Sequence, residues 1–125
     1  ASDHPSMKGV PLRWEKEDEC YFGKELYPGI QVLMMHDLSS LDGKQSDLVT
    51  QHSGSFKGYF PAVWTQKFQG GHVWVTTLGH DKSNYQDSVY QNHVWQGLKF
   101  ILDSVKSIDF SRAQSAKFDE GIWVQ

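Results

Sequence analysis

One cysteine, Cys20, stands in 125 residues. A lone thiol excludes an internal disulfide and any zinc site built from several cysteines, and it leaves the redox compartment open. No run of lysine or arginine occurs, and 12 basic against 15 acidic residues give a formal net charge of −3. The electrostatic footprint of phosphate-backbone binding is missing, so no nucleic-acid partner is expected. No stretch approaches the ~20 consecutive apolar residues that cross a bilayer. The opening Ala1-Ser2-Asp3-His4-Pro5 has no basic region followed by an apolar core, so no membrane partner is expected either. An alanine rather than a methionine at the start leads us to expect a processed product or a fragment of a longer polypeptide.

What is present suits a folded domain. Hydrophobic residues make up 38% and aromatics 14% of the chain. At this length a core can remove roughly two-thirds of the unfolded surface from water. Residues 1–31 hold Pro5, Gly9, Pro11, Gly23, Pro28 and Gly29, which reads as loops around short strands. Ile30-Gln31-Val32-Leu33-Met34-Met35 is short, partly β-branched and preceded by Pro-Gly, the pattern of a buried strand. Residues 37–58 then turn polar and Gly/Ser-rich, predicting a long surface loop.

The clearest local signal is a pair of β-branched and aromatic runs, residues 62–68 and 72–78, joined by Gly70-Gly71. They predict a hairpin whose two glycines take the positive φ angles of a tight primed turn. The second strand is apolar on both faces and is expected to be covered on both. After Gly79-His80-Asp81 comes a polar loop, then Asp87 or Ser88 as a helix N-cap. Tyr90, Val94, Leu98, Ile101, Leu102 and Val105 recur at spacings of three and four, predicting a helix of about five turns whose apolar stripe docks on the sheet. Phe110, Phe118, Ile122 and Trp123 follow as single apolar anchors. Strands, hairpin and one long helix make an α/β pattern, but a doubly wound sheet needs helices on both faces, so the chain reads as part of a layered domain.

Three His-Asp neighbours stand out, at Asp3-His4, His36-Asp37 and His80-Asp81. Neighbouring residues on a strand point to opposite faces, so no such pair chelates one ion by itself. His36 and His80 follow apolar runs, at the strand ends where α/β sheets collect ligands. Gly79 before His80 allows close backbone approach to a bound group, and a helix N-terminus follows. Two readings of His80 stand side by side: a base in an exposed, anchored position, or a ring that satisfies a loop carbonyl. The run Glu15-Lys16-Glu17-Asp18-Glu19 reads first as a solvated face. Between Trp14 and Cys20-Tyr21-Phe22, however, Glu19 or Asp18 can be drawn into an apolar site and act as acid, base or metal ligand. Nothing local places a base beside Cys20, which is better read as an inert thiol. Trp74 and Trp95 are expected in the core, whereas Trp14, Tyr21 and Tyr85 are free to line a cleft.

Pro61-Ala62-Val63-Trp64-Thr65, then the run from Gly70 to Asp81 containing Thr77-Leu78-Gly79-His80, then the helix over 89–102, resemble the C-terminal half of ThuA-like (trehalose utilisation) domains. Asp3-His4-Pro5 with Gly9, and Asp18-Glu19 with Tyr21, resemble the same family in the right order. The resemblance implies the C-terminal portion of a flavodoxin-like layered α/β fold related to class I glutamine amidotransferases, with residues 1–105 as half a domain and 106–125 as a tail or linker. It implies a catalytic histidine at His80. The elbow cysteine of the amidotransferases has no counterpart here, so glutamine hydrolysis is not carried over. By the same resemblance Asp3, His4, Glu19, Trp64 and His80 lie nearest a site, in a family linked to oxidised trehalose and related disaccharides. Family domains run to about 200 residues or more, so the missing N-terminal half, or a second copy, is the expected protein partner.

Two functions follow as expectations. One is acid/base chemistry on a sugar by His80 with Glu19 or Asp18, the sugar-type molecule being held by Asp3, His4, Trp64, Tyr21 and Tyr85. The alternative is a non-catalytic carbohydrate-binding or interaction module. Metal-dependent hydrolysis through His36, His80 and a carboxylate lacks any helical His-x-x-x-His spacing, so no metal or cofactor is expected.

Overall fold

The computed structural model describes residues 3–23, 25–41 and 58–113. Three strands, β1 (Gln31–Asp37), β2 (Tyr59–Phe68) and β3 (Gly71–Thr76), form one sheet in that order, and the long helix α1 (Ser88–Ser104) lies against it. Both strand pairings are antiparallel. The architecture is α/β and is compatible with a fragment of a layered domain.

The hairpin forms where its sequence predicts it, with a shifted turn. Phe68 pairs with Gly71, so Gly71 begins β3, and Gln69 and Gly70 take the positive φ angles of 48° and 84°. A two-residue primed turn needs both, and register assigns one of them to glutamine. Pro61 sits inside the central strand, where a missing N–H would normally break a ladder. It faces Met35 of β1, and β3 reaches only as far as Val63 along β2, so no third strand needs that donor.

Expectations about burial need two corrections. Among the described residues β1 lies at the edge of the sheet and is not a buried strand: register shifts around Val32, Met34 and Met35 accompany a buried Leu33 and leave Met35 39% exposed. On α1 the predicted stripe docks only in part: its Tyr90 is buried and its Val94 and Ile101 are half-buried, but Leu98, Leu102 and Val105 are not. Tyr90, His93 and Gly97 are buried, whereas Trp95, Leu98, Leu102 and Val105 are exposed. Gly97 faces inward because it receives the Trp74 ring, and a Cβ there would lie 2.5 Å from the indole. Trp74 therefore packs as expected and Trp95 does not.

The core gathers Met7, Leu33, Ala62 and Val63, flanked by Val10, Met34, Trp74 and Leu78. The N-terminal segment is fastened to it. His4 caps the 3-10 turn Pro5–Met7 and stacks edge-on against Phe100, while the Trp74 indole N–H donates to Ser6 Oγ at 3.2 Å. Beyond α1 the chain returns to the hairpin tip, where Asp109 N–H donates to Gly70 O at 2.9 Å. Phe110 is 73% exposed and anchors nothing among the described residues. The anchors expected at Phe118, Ile122 and Trp123, and most of the loop expected over 37–58, lie outside the described residues. That loop's described ends meet at a bond from Leu38 N–H to Gly58 O, 3.0 Å.

The Gly97 notch yields a prediction. Gly97→Ala should destabilise the chain by about 1–3 kcal/mol through overpacking, even though alanine favours a helix by ~1 kcal/mol over glycine. Urea unfolding followed by fluorescence measures it, and an unchanged or raised midpoint would show that the ring yields without cost.

Candidate functional site

Along residues 14–22 burial alternates with a period of two, the pattern of an extended segment. Trp14, Lys16, Asp18, Cys20 and Phe22 are partly buried, while Glu15, Glu17, Glu19 and Tyr21 face solvent. The alternation of an extended chain thus sorts one charged run into two sets. Opposite it, the turn after β3 carries His80. A cleft of about 440 Å³ opens between the two segments, lined by Glu17, Asp18, Glu19, His80, Asp81 and Ser83.

Within it three side chains converge. His80 Nε2 lies 3.4 Å from Glu19 Oε1. The Tyr21 hydroxyl donates to Glu19 Oε2 at 2.9 Å and lies 2.7 Å from His80 Nδ1. One phenolic proton thus has two acceptors within reach, and the ring and the carboxylate share a polar relay. The hydrogen bond to Glu19 holds the Tyr21 phenol above its ordinary pKa, so the hydroxyl keeps its proton. Glu19 and His80 are each more than half exposed and can reach a solute directly.

Asp18 has a different task. Its Oδ2 accepts from Gly79 N–H at 2.7 Å, and its Oδ1 accepts from His80 N–H at 3.1 Å and from Asn84 Nδ2 at 3.3 Å. Burial pushes this carboxyl up, but the Gly79 and Lys16 contacts and the His80 amide outweigh it, and the net pKa is lowered. Gly79 adopts φ +97°, and any side chain there would strike the Tyr90 phenol. The glycine is thus required by Tyr90 beneath it. Asp81 caps the 3-10 turn Lys82–Gln86 through Ser83 N–H, 2.7 Å, a bond that lowers its pKa.

Of the residues singled out from sequence, His80, Glu19 and Tyr21 are brought together. Tyr85 sits in the adjacent 3-10 turn, 59% exposed and edge-on to Tyr90 at 5.2 Å. Trp64, half-buried, pairs with Val32 and Val75 in the middle of the sheet. Asp3 is exposed, and His4 is engaged in its cap; neither lines this cleft. His36 Nε2 is 3.3 Å from Thr77 Oγ1, and burial lowers the pKa of this ring despite the Asp18 charge. Burial and the Asp18 charge push the Cys20 thiol up to about 11, which leaves it protonated and a poor nucleophile at neutral pH. Among the described residues no three His, Cys, Asp or Glu side chains converge as metal ligands. Lys16, Asn84 and Ser83 escaped the sequence reading, although the two-residue alternation from Trp14 to Phe22 was there to separate Lys16 and Asp18 from their acidic neighbours.

Fold and site together define an α/β domain with an acidic cleft around one anchored imidazole. The ThuA model, described as trehalose utilisation, matches residues 1–101, and the chain belongs to that family. At family level its role is therefore related to trehalose utilisation. No curated protein and no solved structure matches the chain.

Proposed function

We propose that the chain performs acid/base chemistry on trehalose or a related disaccharide derivative, with His80 as the group that moves the proton. The observation that carries this reading is the contact of both His80 ring nitrogens with polar partners that hold the ring, Glu19 at 3.4 Å and Tyr21 at 2.7 Å. A base is effective when its ring is held by neighbours yet still reaches the substrate, and His80 is 52% exposed. In this scheme His80 Nδ1–H donates to the Tyr21 oxygen, a sugar lying over Glu17, Glu19 and Ser83 gives its proton to the Nε2 lone pair, and Glu19 stabilises the charge that develops on the ring. Tyr85, in the adjacent 3-10 turn, is the proposed contact for the more distant part of a disaccharide, with a second lobe or a second copy closing the cleft over it; Asp3, His4 and Trp64 would reach a sugar only at a separate subsite.

The same exposure favours one other reading, a carbohydrate-binding module without turnover, because an open cleft does not exclude water from a reaction. Titration of the ¹⁵N-labelled chain with trehalose and with a keto derivative of trehalose, alongside product analysis by ¹³C NMR, separates the two. Shifts at Glu19, Tyr21, His80 and Ser83 with product formation support the acid/base reading. Shifts there without product support the binding module. Millimolar sugar that moves none of these resonances refutes both.

A further inference from the structure

Beneath the cleft, and outside the acid/base relay, lies a buried cation. The Lys16 side chain is only 12% exposed, and its Nζ sits 2.9 Å from Asp18 Oδ2, itself 6% exposed. The ammonium also lies 5.1 Å from the Trp14 ring centroid and 4.7 Å from that of Tyr90. Two aromatic faces and one carboxylate thus replace the water a lysine normally keeps. A buried pair of this kind is a weak source of net stability, and a fixed geometry is its best-attested use. The geometry fixed here is that of the His80 backbone, because the carboxylate that pairs with Lys16 is the one that accepts from the Gly79 and His80 amides. Tyr90 joins the two ends: its ring faces Lys16, and its hydroxyl donates to Leu78 O at 3.2 Å, just before the His80 turn.

We propose that Lys16 is a positioning residue whose buried ammonium holds the Asp18 carboxylate beneath the cleft, so that Asp18 fixes the Gly79 and His80 amides and aims the His80 ring at Glu19 and Tyr21. The inference deepens the reading of His80 as the acid/base group and rests on it. Without the ammonium, Asp18 is a nearly buried charge with only hydrogen-bond donors to compensate it. It then gains by turning toward water, which releases two adjacent amides of the turn. A residue that served packing alone would loosen the sheet as much as the turn.

The test compares amide hydrogen exchange in the full chain with Lys16 and with Lys16→Met, which keeps the stem and removes the charge. Protection of Gly79 and His80 is expected to fall by about tenfold or more, the scale of losing charge assistance at two hydrogen bonds. Amides within β2 and β3 should keep theirs, and the ring ¹⁵N shifts of His80 should move. Lys16→Arg, which keeps the charge, should restore part of the protection. Should Lys16→Met not fold, Lys16→Gln is read by the same criteria. Unchanged Gly79 and His80 protection, or equal loss across the sheet, overturns the proposal. Exchange needs no substrate, so selective release of the turn supports Lys16 even if no sugar is turned over, and an inactive His80→Gln chain cannot rescue Lys16 if the turn stays protected.

Discussion

His80→Gln is expected to lower turnover of a disaccharide derivative by about 10²–10⁴-fold, the usual contribution of a positioned acid/base group, with the melting temperature unchanged. The ring is half exposed, and its backbone amide, not its side chain, makes the bond to Asp18, so the fold does not depend on the imidazole. Glutamine keeps hydrogen-bonding groups near Glu19 and Tyr21 but cannot accept a proton at neutral pH. Tyr21→Phe removes one hydroxyl that touches both partners, and a loss of about fivefold is expected from a single hydrogen bond worth ~1 kcal/mol. Steady-state rates with circular dichroism melts measure both. Full activity in folded His80→Gln would end the acid/base reading.

Stability should fall steeply in mild acid, chiefly because His93 is buried without charge, with His36, whose pKa burial also lowers, acting in the same direction. His93 is fully buried, with Nε2 at 2.9 Å from Thr76 Oγ1 and rings of Trp14, Trp74 and Tyr90 around it. Burial first, and the Lys16 ammonium second, lower its pKa from 6.5 to about 4. Between those two values the unfolded chain binds a proton that the folded chain refuses, so falling pH favours unfolding. Full titration across the gap costs about 3 kcal/mol, a large fraction of the ~5–15 kcal/mol that holds a typical domain together. Asp18 works in the same direction at lower pH: its depressed pKa gives stability that is present above the ordinary carboxylate range and disappears as acid reaches the folded value. Urea midpoints at pH 7, 5.5 and 4.5 should therefore decline in the native chain and decline less in His93→Gln. Parallel declines would show that some other group governs the acid limb.

The hairpin and the helix start were legible in the sequence, since Gly-rich turn chemistry and the Asp87 cap act locally; the Asp87 side chain accepts from Val89 N–H as its position implies. The helix's docking face was legible at Tyr90 but not beyond it. Hydrophobic spacing pointed to Leu98 and Leu102, but a tryptophan from β3 needed a notch, and only glycine at 97 supplies one. No one-dimensional pattern reports that requirement, because it arises from a partner strand. The site shows the same division. Gly79-His80 after a strand and Glu19 before an apolar run marked the residues that meet, whereas Lys16 looked like one more surface charge. Its role depends on aromatic faces contributed by Trp14 and by Tyr90, which lies more than seventy positions further along the chain.

The alternating segment from Trp14 to Phe22 also limits how this protein can change its length. Removing Glu17 would invert every position that precedes the cut, sending Lys16 outward and drawing Glu15 toward the rings. Removing two would restore the parity but shorten the span by ~6–7 Å. Insertions and deletions should thus be barred from this stretch even where single substitutions at its outward positions pass unnoticed.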